Sequence, residues 1–179
     1  MTIGAFSLIA EEESLMNRTP TDPVDAATHR RLAVDLFDCS WQLLETKGRT
    51  RAQDDELIHL VHASRHHWGE VGTPAHLTRG ESQCARVYAA LGRPEPALHH
   101  ASRCLELVRE GGEGFEDWDL ASALEVVARA HLAAGNRDEA AAYAELARKE
   151  LESVADADDR DVIASQLAEL GLGQASRTG

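Results

Sequence analysis

YAALGRPEPALHHASRC, residues 88–104, and HLAAGNRDEAAAYAELA, residues 131–147, are one pattern written twice. Laid over each other, they match Tyr88 to His131, Gly92 to Gly135, Ala97 to Ala140, Ala101 to Ala144 and Cys104 to Ala147. The pattern has a physical reading. A glycine ends a first helix in the left-handed conformation that residues with a Cβ avoid. Small residues then begin a second helix, and with no bulk beyond Cβ they let the two axes close on each other. A third glycine, Gly48, stands 44 residues before Gly92, and Gly135 follows Gly92 by 43. The first unit departs from the other two, since Gln53 stands where Ala97 and Ala140 stand.

Outward from these turns, apolar residues recur at helical spacing and helix signals punctuate them. A first helix spans about 26–46, with Leu32, Phe37, Trp41 and Leu44 on its apolar side, and stops at Gly48. Thr50 with Gln53 three residues on reads as a capping box. Asp54, Asp55 and Glu56 then suit the positive end of the second helix, which ends near Trp68-Gly69. Thr73-Pro74 opens a third helix as cap plus first-turn proline, and Pro94 opens a fourth that closes at Gly111-Gly112. Gly111 to Asp117 reads as a flexible connector. A fifth helix over 118–134, a sixth from Asn136 to Val154, an acidic linker at 155–159 and a seventh helix over 160–170 complete the chain.

The paired motif resembles the tetratricopeptide (TPR) signature of a large residue, a turn glycine and then small residues at the helix crossing. The repeat is longer than the usual 34 residues and is similar to the long-helix variants of kinesin-light-chain-type arrays. The resemblance is good over 76–152 and weaker over 30–68. It implies an all-α fold: a TPR-like right-handed superhelix of three helical hairpins, with the seventh helix capping the exposed end. That domain spans 26–171, between flexible tails at 1–25 and 172–179. The family role is to bind a peptide or partner protein in a concave groove, without catalysis. Carried over residue by residue, the groove set is Arg79, Ser82 and Arg86 from the third helix, and Ser122, Glu125 and Arg129 from the fifth. Asp35, Asp38 and Gln42 would come from the first. Converging arginines suit a partner with an acidic group through bidentate hydrogen bonds. On that view Arg86→Ala weakens binding with little loss of stability.

Composition agrees with a folded helical domain and narrows its partners. Hydrophobic residues make up 43% and charged residues 27%, enough for a core, while aromatics at 4% leave alanine to supply much of it. A formal net charge of −13 with no Lys/Arg run longer than two excludes a phosphate-tracking surface, so neither nucleic acid nor an anionic membrane is an expected partner. A homodimer remains open. Cys39, Cys84 and Cys104 are too few and too scattered for a disulfide framework and read as small hydrophobes in a reducing cytoplasm. The apolar patch Ile3 to Ala10 lacks a preceding basic residue and runs into Glu11-Glu12-Glu13, unlike a secretion signal. Met16 is the expected translation start.

The most unusual local stretch is LIHLVHASRHHW, residues 57–68. Leu57, Leu60, Val61, Ser64 and Trp68 share one helical face, and His59, His62 and His66 share the opposite one, with His67 beside the apolar side. Histidines three or four apart can share a divalent transition metal. His59, His62, His66 and His67 are therefore the candidate ligands of an alternative reading, a metal-binding protein or small metal-dependent enzyme. His59 to His66 spans about 10 Å of helix rise, so one straight helix cannot chelate with all of them, and further ligands such as His99 or Glu70 would be needed. His99 and His100, as neighbours on a helix, point too far apart to chelate one ion together. No nucleophile–base–acid arrangement can be placed.

Overall fold

The computed structural model describes residues 23–172. Among them lie seven helices and no strand: α1 (Ala26–Glu45), α2 (Arg51–Val71), α3 (Pro74–Ala90), α4 (Pro94–Glu110), α5 (Asp119–Ala133), α6 (Arg137–Leu151) and α7 (Ala157–Glu169). The expected Met16 start, and the tails apart from Pro23–Asp25 and Leu172, fall outside the described residues.

Local chemistry sets most of these limits. Asp25, expected in the tail, caps α1 by accepting from the Thr28 amide at 2.9 Å. Thr50 and Gln53 form the reciprocal box at the start of α2. Pro74 and Pro94 open α3 and α4. Gly92 and Gly135 turn with φ of +64° and +79°, as the repeated motif demands. Three details differ from the sequence reading. α2 runs on through Gly69 to Val71, since one glycine costs only about 1 kcal/mol inside a helix. Asn136 makes no side-chain cap for α6. Asp156 caps α7 by accepting from the amides of Asp158 and Asp159, which starts that helix three residues early.

The helices pack as the hairpins α1/α2, α3/α4 and α5/α6, and the first helices touch in succession, α1 on α3 and α3 on α5. α7 lies against α5 and α6. Ala97 and Ala140 are fully buried at the two crossings where the motif needs a small residue. One core joins α4 to α7 through Ala101, Cys104, Val126, Ala144 and Ile163, and a smaller one joins α2 to α3 through Leu57, Val61, Cys84 and Val87.

The glycine-rich segment after α4 is docked rather than a loose connector. A Cβ on Gly112 would stand 2.9 Å from Pro74 Cγ, and one on Gly114 2.8 Å from Thr73 Oγ1. The Gly114 carbonyl accepts from Arg79 Nη2 at 3.3 Å. Glycine is used here because the chain must lie against the start of α3. No described helix is long and apolar enough to cross a membrane.

Candidate functional site

α1, α3, α5 and α7 line one inner face. It holds a cavity of about 270 Å³ and an adjoining one of about 520 Å³, which share Trp41, Arg86 and Gln166. Phe37, Trp41, Trp118, Val162 and Ile163 supply the apolar wall of the first, and Arg79, Ser82, Arg86 and Ser122 its polar lining. Arg129 lines the second. Arg79, Ser82, Arg86 and Arg129 are thus brought to one face, and Glu125 lies fully buried beneath them. The α1 residues Asp35, Asp38 and Gln42 are not there. The apolar stripe of α1, with Phe37 and Trp41, turns inward instead, because burying aromatic surface outweighs presenting charge.

The arginines of this face are already paired. Arg79 grips Asp119 with a fork, Nε to Oδ1 at 3.0 Å and Nη2 to Oδ2 at 2.8 Å, and its guanidinium lies 4.5 Å from the Trp118 ring centre. Arg86 Nη2 donates to Glu125 and, at 2.6 Å, to Gln166 Oε1. Arg129 donates to the other Glu125 oxygen at 2.7 Å and to Glu169 at 3.2 Å. Burial pulls Arg86 below its ordinary pKa, and Glu125 opposes that pull. Glu125 therefore ties α5 to α3, with Gln166 of α7 as a third party. This changes the expectation for Arg86→Ala, because removing one partner of a buried pair strands the other charge.

The histidines of α2 do not share one point. His59 is exposed. His66 and His67 turn toward α1, where His67 Nδ1 lies 2.9 Å from His29 Nδ1. His62 turns the other way, into the cleft between α3 and α4. There its Nε2 is 2.8 Å from the Tyr88 hydroxyl, and its ring centre is 5.3 Å from that of His100. Cys84 of α3 completes this cleft: its sulfur and one nitrogen of each histidine all lie within 4.8 Å of one another.

Glu81 flanks the cluster and bonds two cations. Its carboxylate takes Arg65 Nε at 2.9 Å and His100 Nδ1 at 2.6 Å. Burial pushes the Glu81 carboxyl up, but the His100 and Arg65 contacts outweigh it and hold the group below its ordinary value. Burial, then His100, holds His62 below its ordinary value, with Glu81 opposing. Burial and the Glu81 charge push the Cys84 thiol up to about 12. Sequence reasoning missed Cys84, Tyr88 and His100 as one group. His62, Cys84 and His100 sit on three helices, and only the fold of the two hairpins brings them together.

No family model matches the chain, and no curated protein matches it either.

Proposed function

We propose that the protein is a TPR-like interaction module, without catalytic activity, whose inner face docks a segment of a partner protein. The observation that carries this reading is the pair of adjoining cavities on the face shared by the first helices, with an aromatic wall over a floor of fixed ion pairs. Such a surface takes an aromatic or branched apolar side chain into the smaller cavity, between Phe37, Trp41 and Trp118. Ser82 and Ser122 offer hydrogen bonds beside it. Arg79 and Arg129, less buried than Arg86, stand at the edges where an acidic group of the partner would meet them. Arg86 and Glu125 are the rigid floor. The buried small residues at both crossings and the successive packing of first helices support the TPR-like arrangement. Three free cysteines fit a reducing cytoplasm.

The test uses Val162→Arg, an exposed rim position, and Trp41→Ala, an anchor of the wall. Partners captured with the wild-type chain are measured by titration calorimetry against both variants. Loss of a buried aromatic contact should weaken binding by at least about tenfold. Partners that bind both variants as tightly as wild type would move the interaction off this face.

A further inference from the structure

The cleft between α2, α3 and α4, on the side of α3 away from the cavities, carries a different chemistry. We infer that His62, Cys84 and His100 form a binding site for one zinc-class divalent ion, with Glu81 orienting His100. One thiolate and two imidazoles are a donor set that borderline-soft metals take in tetrahedral geometry, with a fourth position left for water.

The geometry supports this in three ways. First, the donor atoms already converge to within 4.8 Å of one another. Metal bonds of about 2.0–2.3 Å place tetrahedral ligand atoms roughly 3.3–3.8 Å apart, so closure by about 1 Å completes the site. His62 and His100 are partly exposed and can make that move, whereas Cys84 is fixed in the core. Second, the His100 proton is placed. An ionised Glu81, held by Arg65, can only accept at 2.6 Å, so Nδ1 of His100 carries a hydrogen and Nε2 is the nitrogen of the neutral ring that a metal would take. A carboxylate behind a metal-bound histidine is the usual arrangement for fixing its tautomer and raising its basicity. Third, Gly80 exists to let this support form. A Cβ there would stand 2.6 Å from Arg65 Cδ, so any larger residue would push the Arg65 stem off its present path to Glu81.

The step balances simply. The ion displaces the Cys84 thiol proton to solvent, and the sulfur–metal bond replaces the sulfur–hydrogen bond. The bound ion brings two positive charges, of which the thiolate cancels one, and Glu81 lies close enough to offset part of the rest.

The experiment uses the full chain without a histidine tag, stripped with chelator and titrated with Co(II) and then Zn(II) while absorbance is recorded. A single equivalent should give the near-ultraviolet sulfur-to-cobalt charge-transfer band and the visible bands of tetrahedral cobalt, and Zn(II) should displace both. Cys84→Ala should remove the charge-transfer band and Cys39→Ser should keep it. That second variant also reads the site if the first does not fold. Glu81→Gln should lower affinity by about ten- to a hundredfold, and His29→Ala with His67→Ala should leave it unchanged. Absence of stoichiometric binding would overturn the site, as would a band lost with Cys39→Ser or affinity lost with the His29 and His67 replacements.

Discussion

One helix, α3, presents two polar faces that differ in how completely they are satisfied. Arg79, Ser82 and Arg86 point to the inner cavities, and Glu81, Cys84 and Tyr88 point to the α2/α4 cleft. On the inner face each arginine meets a carboxylate from α5, and the charges cancel in place. In the cleft, a buried thiol and two imidazoles face one another within 4.8 Å, and no charged group of the described residues lies between them. A region whose charges are mutually spent acts as a scaffold around an apolar pocket. A region where ligand atoms converge can take an ion. The same helix therefore carries the proposed docking surface on one side and the proposed metal site on the other.

The largest expected effect breaks the inner face. Arg86→Ala leaves Glu125, which is fully buried, with Arg129 alone, and truncating one side of a buried pair costs about 3–5 kcal/mol. Chemical denaturation should show this as a lower midpoint at unchanged slope. Arg79→Ala should cost less, because that guanidinium is partly exposed and Asp119 keeps the Glu116 amide as a donor at 2.9 Å. Cys84→Ala, two residues away on the other face, removes a small buried neutral group and strands no charge, so it should cost less than Arg86→Ala in metal-free protein. A midpoint unchanged by Arg86→Ala would mean that the pair is solvated and the floor is not rigid.

The second tests the frame that both faces share. Ala140 is fully buried at the α5/α6 crossing and Ala97 at the α3/α4 crossing. Ala140→Leu and Ala97→Leu should each overpack, costing about 1–3 kcal/mol. An unchanged melting temperature would show that the crossings have slack.

These crossings were legible in the sequence because turn glycines and small residues act locally, through backbone φ and Cβ volume. The helix starts were legible for the same reason at Thr50 and Thr73. The faces were harder. The resemblance to TPR positions put Arg79, Arg86 and Arg129 on one surface, yet the partners Asp119 and Glu125 lie about 40 residues away from the first two. Whether an arginine is free or spent is a tertiary fact. The α1 contribution was read one residue out of register, as Asp38 and Gln42 where Phe37 and Trp41 line the cavity. The histidine run drew attention to α2 itself. His62 finds its companions on α3 and α4, which no spacing within α2 could reveal.

A smaller effect sharpens the cleft side. Gly80→Ala gains about 1 kcal/mol in helix propensity. It also drives Arg65 away from Glu81 and forfeits a charge-assisted hydrogen bond of about 1.5–3 kcal/mol. The net should be a loss of about 1 kcal/mol, with Co(II) affinity falling alongside as His100 loses its firmly held carboxylate. A stabilised variant with intact metal affinity would mean that Arg65 does not support the cluster.

The smallest effect tests the histidine chemistry of α3 by pH. His76, at the start of α3, accepts the Thr73 amide hydrogen on Nδ1 at 3.2 Å and stacks on Trp68 with ring centres 4.1 Å apart. Burial, then Arg79 and Arg30, hold its pKa below the ordinary 6.5. The folded state thus resists a proton that the unfolded chain accepts. The stabilisation is complete above about pH 6.5 and declines as pH falls from there toward the lower folded value. The mechanism is local, since protonated Nδ1 cannot accept the Thr73 hydrogen and the cap opens. His76→Gln keeps an acceptor at the position that Gln53 fills in the box of α2, and it has nothing to protonate. In metal-free protein, the fall in melting temperature between pH 7.5 and 5.5 should be shallower for His76→Gln than for wild type. Equal falls would show that the His76 cap survives protonation.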